Sequence, residues 1–180
     1  MQELLHKSIY ADLVVIDAKE TLTHYAEPVP TNFIRDLLSN VECPVLLTLA
    51  QYTPIDRLVV LYDAEPSSVY AIKMFSFMLQ SLQHLPVEVI SVKDVNNNFH
   101  LPDNKLMKEF IKWHFPKAPY TVLKGLAEAK IIKHLKGVKE NSLIVLGAYG
   151  RGTVSRWFRT SMADTLMKEI KAPLFIAHNK

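Results

Sequence analysis

Short apolar runs recur along the chain, and most of them are continuous rather than alternating. Six runs rich in Val, Ile and Leu stand out: Leu13–Ile16, Val45–Leu47, Leu58–Leu61, Val87–Val92, Leu143–Leu146 and Leu174–Ile176. A seventh run, Tyr120–Leu123, is weaker. Continuous apolar runs of this length are typical of strands that are buried on both faces of a parallel sheet.

Between these runs, apolar residues recur with the spacing of amphipathic helices. The predicted helices are Asn32–Leu38, Ser67–Leu82, Asn104–Phe115, Leu126–Leu135 and Ser161–Ile170. From Arg57 onward, strands and helices alternate strictly. This order predicts an α/β fold, namely an open, five-stranded, mainly parallel sheet that is flanked by helices and joined by right-handed crossovers.

The N-terminal third of the chain resembles the C-terminal third. Ala11–Ile16 resembles Asn141–Leu146 at an offset of 130 residues, and Cys43–Leu47 resembles Ala172–Ile176 at an offset of 129. We interpret this as a partial strand-helix-strand repeat at the N-terminus. The predicted domains are residues 1–54, which hold the partial unit and its connector, and residues 55–180, which hold a complete unit. A piece of about 50 residues buries little surface alone, so we expect it to pack against the complete unit or another chain.

Composition and charge exclude several classes of protein. The chain has 180 residues, a net charge of +3 and a single cysteine, Cys43. No apolar run reaches the roughly 18 residues of a membrane span, and residues 1–10 lack the apolar core of a secretory signal. One cysteine forms no internal disulfide, which fits a reducing cytoplasm. We therefore expect a cytoplasmic protein that binds neither membrane nor nucleic acid.

A glycine-rich loop is the main candidate for chemistry. Gly147, Gly150 and Gly152 follow directly on the run Leu143–Leu146, and a predicted helix begins near Ser161. Glycines let the backbone approach a ligand and expose N–H donors, and a helix N-terminus adds further donors for phosphate. Nearby cations are Arg151, Arg156 and Arg159. The alternative is a tight turn beside a solvated basic face.

Two further residues end neighbouring predicted strands. Asp63 follows the run Leu58–Leu61, and Val92 ends the run Val87–Val92. In an open parallel sheet, ligands bind at the carboxyl ends of the strands, close to the switch in strand order. A carboxylate there can accept hydrogen bonds from a ribose, and the Val92 backbone can meet an adenine edge. Alternatively, Asp63 serves only the turn before the next helix.

This combination resembles the universal stress protein family. The family's nucleotide motif is Gly-x2-Gly-x9-Gly followed by Ser or Thr. Gly147 and Gly150 match its first two glycines, Thr160 stands in place of the third, and Ser161 matches the last position. Thr160 keeps the backbone N–H, but its Cβ would make a left-handed backbone cost about 1–2 kcal/mol. The resemblance covers residues 57–180, and residues 1–50 look like the end of a second copy that lacks its first part.

The resemblance implies a Rossmann-like, adenine nucleotide α-hydrolase-like fold and a cytoplasmic regulator of the stress response that binds ATP or AMP. The implied nucleotide-binding residues are Asp63, Val92, Gly147, Gly150, Arg151, Thr160 and Ser161. We assign no catalytic residue, because no general base is evident, so any ATP hydrolysis would be slow. The alternatives are a nucleotide-free dimeric interaction module of the same fold and, more weakly supported, an enzyme of the wider nucleotide α-hydrolase group.

Partners and metals complete the expectations. In the family, the last strands of such units pair across a dimer interface, so we expect Pro44–Leu49 and Pro173–Ala177 to pair, either within the chain as a pseudo-dimer or between chains as a homodimer. A further protein partner is compatible with the interaction module. No metal site is expected, because none of the seven histidines has a partner at ligand spacing.

Overall fold

The computed structural model describes residues 1–93, 104–148 and 160–177, and statements about the structure refer to these ranges. The strands are β1 (Val14–Asp17), β2 (Val45–Thr48), β3 (Arg57–Leu61), β4 (Val87–Lys93), β5 (Tyr120–Lys124), β6 (Ser142–Gly147) and β7 (Leu174–Ala177). The helices are α1 (Gln2–Ser8), α2 (Asn32–Asn40), α3 (Pro66–Met78), α4 (Asn104–His114), α5 (Ala127–Lys136) and α6 (Thr160–Glu169). A short 3-10 helix spans Gln80–Leu82.

The described strands form one sheet with the order β1-β2-β7-β6-β3-β4-β5. Every neighbouring pair is parallel except β2 and β7, which are antiparallel. The predicted mainly parallel α/β fold is therefore confirmed, but the predicted five strands are wrong, because the sheet has seven. Five of them come from residues 57–180, and β2 extends this sheet by pairing with β7. Apolar runs identify strands, but they do not encode which strand edges join.

Helices cover both faces of the sheet, which explains the continuous apolar runs. Leu58 and Val60 face the side that α3 and α4 cover, where Phe75 and Ile111 are fully buried. The alternate residue Val59 faces the opposite side, which α2, α5 and α6 cover. Because successive side chains of a strand point to opposite faces, both sets must be apolar. None of the described helices combines the length and apolar character that a membrane crossing requires.

The strand pairs at the two ends of the chain have equivalent registers. Val14 lies opposite Val45 in the parallel pair β1–β2, and Ile144 lies opposite Leu174 in β6–β7. The first members are 130 residues apart and the second members are 129 apart, as in the sequence pattern. The repeat and its boundary near residue 54 stay predictions, and this common register is compatible with them.

The antiparallel pair β2–β7 is centred on residues that the predicted repeat would make equivalent. Leu46 lies opposite Phe175, which is 129 residues later in the chain. Next to this pair, the Nε of Arg35 on α2 donates to Oδ2 of Asp164 on α6 at 3.0 Å, again at a separation of 129 residues. These contacts hold residues 1–50 onto the rest of the fold. Both β2 and β7 are interior strands, and the described sheet ends at β1 and β5.

Candidate functional site

The order of the strands places a crevice between β3 and β6. From β3 the chain runs outward to β4 and β5, and it then returns to the other side of β3 to form β6 and β7. The connecting helices α3 and α4 lie on one face, whereas α5 and α6 lie on the other. In open α/β sheets, ligands bind at the carboxyl ends of the strands where the direction of winding reverses. Here that point lies between the ends of β3 and β6.

Asp63 follows β3 at this edge and is buried, with 9% of its surface exposed. Its Oδ1 accepts a hydrogen bond from the backbone N–H of Glu65 at 3.1 Å, which closes the turn between β3 and α3. Within this turn, Ala64 has a positive φ of 68°. The carboxylate therefore shapes the turn that begins α3, as the alternative interpretation expected. Its position at the carboxyl edge is also the one that the nucleotide interpretation requires.

Gly147 is the last residue of β6, and it lies directly under the first turn of α3. A Cβ on Gly147 would lie 2.3 Å from the backbone carbon of Ser67 and 2.5 Å from the backbone nitrogen of Ser68. No side chain fits at these distances. The glycine is therefore required for the close approach of the α3 N-terminus to the end of β6. On the other side of β3, Val92 lies near the end of β4 and is 5% exposed.

The remaining predicted residues lie further along the chain. Thr160 and Ser161 are the first two residues of α6, so Thr160 has a helical backbone in place of the left-handed one considered from the sequence. Gly150 and Arg151 lie outside the described residues. The structure thus brings Asp63, Val92 and Gly147 to one edge on three adjacent strands.

The fold was compared with those of known proteins. A universal stress protein from Archaeoglobus fulgidus superposes with a TM-score of 0.74 at 15% identity, covering 99% of this chain and 66% of that one. The chain has the universal stress protein fold. This chain thus spans 66% of the length of that relative.

Two shorter structures carry the same fold. A universal stress protein in complex with cAMP gives a TM-score of 0.51 at 15% identity, covering 70% of this chain and 98% of that one. UspA from Lactobacillus plantarum superposes with a TM-score of 0.50 at 15% identity, covering 71% of this chain and 100% of that one. No protein-family model and no curated protein matches the sequence. The likeness therefore lies in the three-dimensional fold.

Within this universal stress protein fold, a charged cluster that sequence reasoning missed lies on the face covered by α5. Glu88, on β4, is 8% exposed. Its Oε2 accepts a hydrogen bond from Nη2 of Arg57 at 2.5 Å, and its Oε1 accepts one from Oγ1 of Thr121 at 2.5 Å. The Nε2 of His134 lies 3.1 Å from Oε1. Three strands and one helix therefore each contribute one residue to this cluster around the Glu88 carboxylate.

The surroundings of Glu88 keep it ionised. Burial raises its pKa, but the hydrogen bonds from Thr121 and His134 and the charge of Arg57 outweigh that effect, so the pKa lies below its ordinary value. The sequence signal was a carboxylate inside the apolar run Val87–Val92. A buried ion in such a strand requires partners, but the sequence does not identify which residues supply them. The cluster lies toward the amino ends of the strands, away from Gly147.

A cavity of about 230 Å³ also opens at this amino edge, between the C-terminal ends of α5 and α6. An ion pair between Lys136 and Glu169, at 2.6 Å, lies in its wall. Of the predicted nucleotide residues that lie within the described ranges, none lines this cavity. Among the described side chains, no group of three or more His, Cys, Asp or Glu is arranged to hold a metal ion.

Proposed function

We propose that this chain binds an adenine nucleotide, ATP or AMP, at the carboxyl edge of its sheet and acts as a cytoplasmic regulator of the universal stress protein type. The observation that carries the proposal is the placement of Asp63, Val92 and Gly147. They lie at the carboxyl ends of three adjacent parallel strands, on both sides of the point where the winding reverses. A structure of the same fold in complex with cAMP supports the chemistry.

Each of these residues has a distinct task in the proposal. The Asp63 carboxylate accepts hydrogen bonds from ribose hydroxyls, and the Val92 backbone contacts the adenine edge. Gly147 lets the N-terminus of α3 lie against the end of β6, which brings these two elements together beside the crevice. The start of α6 at Thr160 and Ser161 supplies N–H donors for phosphate, together with Gly150 and Arg151 of the motif. A helical Thr160 needs no glycine at its position.

The same site supports regulation rather than catalysis. We assign no general base at the crevice. Hydrolysis would therefore be slow and would serve to reset a bound state. The second candidate is a nucleotide-free interaction module, which is favoured by the burial of Asp63 and Val92 at 9% and 5% exposure.

We further infer that the β2–β7 pair replaces a dimer contact, so that the chain is its own pseudo-dimer. Leu46 and Phe175 lie opposite each other at equivalent positions of the two predicted units, as two identical strands would across a two-fold axis. The Arg35–Asp164 contact has the same equivalence.

Calorimetric titration of nucleotide-free protein with ATP and with AMP tests the proposed function. We expect binding in the micromolar range and a loss of about tenfold in Asp63→Asn, because the amide keeps the turn acceptor but loses the charge. Asp56→Asn is the matched control, since Oδ2 of Asp56 accepts a backbone hydrogen bond from Asn141 at the opposite edge. If Thr160→Gly binds nucleotide and wild type does not, the site of the wild-type protein is closed. If neither wild type nor any variant binds, the interaction module is favoured.

A further inference from the structure

The outer side of α3 and α4 carries three large apolar side chains that lie in solvent. Phe77, near the end of α3, is 63% exposed, and Leu106 and Trp113 on α4 are 62% and 86% exposed. The two residues on α4 are seven positions apart, which places them on one side of the helix, whereas Met107 and Ile111 are buried against the sheet. The solvent side of α4 thus carries apolar side chains that the core does not use.

A cluster of rings joins α3 and α4 into one surface. The ring of His114 lies 4.7 Å from that of Phe110 and 6.3 Å from that of Phe77, both in edge-on arrangements. Burial and the nearby charge of Lys73 hold the pKa of His114 below its ordinary value, so the imidazole is uncharged at neutral pH. Rings therefore occupy the space between the two helices here, and a partner meets protruding side chains rather than a groove.

Positive charge is concentrated around these apolar side chains. Segments 73–86 and 104–117, which hold the second part of α3 and all of α4, contain five lysines and one acid, Glu109. The whole chain carries a net charge of only +3, so its excess of positive charge lies largely on this side. All five lysines are exposed, namely Lys73, Lys105, Lys108, Lys112 and Lys117. An anionic surface is complementary to this arrangement.

We propose that these five lysines, together with Phe77, Leu106 and Trp113, form a face that binds the anionic surface of a lipid bilayer. The apolar side chains enter the boundary between headgroups and acyl chains, where aromatic rings are favoured, and the lysines contact lipid phosphates. The lysine stems lie along apolar surface while their ammonium groups reach the headgroups. The contact is peripheral and reversible, because three side chains bury little apolar area. We call this surface the lysine–aromatic face.

A bilayer suits the lysine–aromatic face better than a helix of a partner protein does. Recognition of a helix uses an apolar groove, but Phe110 and His114 fill the space between α3 and α4. Lipid headgroups rearrange around protruding side chains and need no preformed groove. The expectation that the chain binds no membrane rested on the absence of a long apolar run. That criterion applies to segments that span a bilayer, whereas the proposed contact lies on its surface.

Binding to lipid vesicles tests the proposal. Vesicles that mix phosphatidylcholine with the anionic lipid phosphatidylglycerol should bind the protein at low salt, and binding should weaken as salt is added. Vesicles of phosphatidylcholine alone should bind it much less. In a Trp157→Phe background, Trp113 is the only indole of the chain. Its fluorescence should shift to shorter wavelength on binding, because the exposed ring enters an apolar environment.

Charge variants should change the vesicle affinity in opposite directions. Lys105→Gln and Lys112→Gln should each weaken binding about fivefold. Glu109 lies one turn of α4 from both lysines, so Glu109→Gln should strengthen binding by a similar factor. The matched control is Lys133→Gln, which removes an exposed lysine from α5 on the opposite face of the sheet. It should bind like wild type, and circular dichroism establishes that each variant is folded.

Three results would overturn the proposal. The first is an absence of binding to anionic vesicles at low salt. The second is an equal loss of affinity in Lys112→Gln and Lys133→Gln, since binding would then depend on net charge alone. The third is a shift of Trp113 fluorescence with an acidic amphipathic peptide but not with vesicles, which would assign the lysine–aromatic face to a protein partner.

Discussion

Arg35 and Asp164 join the N-terminal part of the chain to its last helix, with Nε and Oδ2 3.0 Å apart. Their separation of 129 residues equals that between Leu46 and Phe175, which pair in the neighbouring strands. One ion pair and one strand pair therefore connect residues at the same separation, which the predicted repeat would explain. The side chain of Asp164 is 16% exposed and that of Arg35 is 41% exposed, so the pair is only partly screened by water.

A double-mutant cycle measures the strength of this connection. For Arg35→Gln and Asp164→Asn we expect a coupling of about 0.5–1 kcal/mol in the free energy of unfolding, reduced at high salt. The control cycle uses the exposed pair Lys7–Glu3 on α1, for which about 0.3 kcal/mol is expected. Urea denaturation gives both values, and equal coupling in the two cycles would contradict a special role for Arg35.

Gly147 should be intolerant of any side chain. Gly147→Ala places a Cβ 2.3 Å from the Ser67 backbone and should lower the free energy of unfolding by about 3 kcal/mol or more, since backbone rather than a flexible side chain must move. Gly137→Ala is the control, because the nearest atoms to its Cβ would be the carbonyl oxygens of His134 at 3.3 Å and Lys133 at 3.8 Å. It should change stability by less than about 1 kcal/mol. Similar losses in both variants would argue against the close approach of α3.

Phe175 should contribute to stability through an aromatic cluster. It is fully buried, and its ring lies 5.4 Å from that of Phe75 in an edge-on arrangement. Phe175→Ala should cost about 3–5 kcal/mol and loosen the β2–β7 pair. Phe77→Ala is the matched control, because Phe77 is 63% exposed, and it should cost under about 1 kcal/mol. Hydrogen exchange of the β2 amides should increase in Phe175→Ala alone.

The charge of Glu88 should make the free energy of unfolding fall at acidic pH. Its folded pKa lies below the ordinary 4.5, so the unfolded state binds the proton more readily. The stabilisation is fully present above 4.5 and is lost as the pH falls through the folded pKa. Urea unfolding of wild type should show this decline, and Glu88→Gln should flatten it.

Glu88→Gln should also lower stability at neutral pH by about 2–3 kcal/mol, because Arg57 keeps a charge beside a neutral amide. Glu65→Gln, which removes a carboxylate at the carboxyl edge of the sheet, is the control for Glu88→Gln in the same unfolding measurements. An unchanged acid dependence in Glu88→Gln would assign the transition to other carboxylates.

The sequence predicted the strands and helices closely because their signals are local. The continuous runs mark strands buried on both faces, and the predicted helix Asn104–Phe115 differs from α4 by one residue. Another helix was predicted as Ser67–Leu82, but α3 ends at Met78 and a separate 3-10 helix follows. Local propensity does not define such an end, because tertiary packing sets it.

The sequence predicted only part of the candidate site. Strand order lets the sequence place Asp63, Val92 and Gly147 at one edge, since parallel strands end together. The contact between Gly147 and the first turn of α3 was not readable, because it depends on the distance between two packed elements. The partners of Glu88 were not readable either, since Arg57, Thr121 and His134 are far apart in sequence.

The sequence by itself determined the α/β class and the alternation of strands and helices, because hydrophobic period and turn residues act over a few positions. Only the tertiary structure decided that the described part of the chain forms one sheet of seven strands and that β2 joins β7 antiparallel. Those features depend on which backbone edges hydrogen-bond and which faces are covered. Strand pairing and helix packing join segments that are distant in sequence, so the free energy of folding that selects them depends on the surface buried by the whole chain.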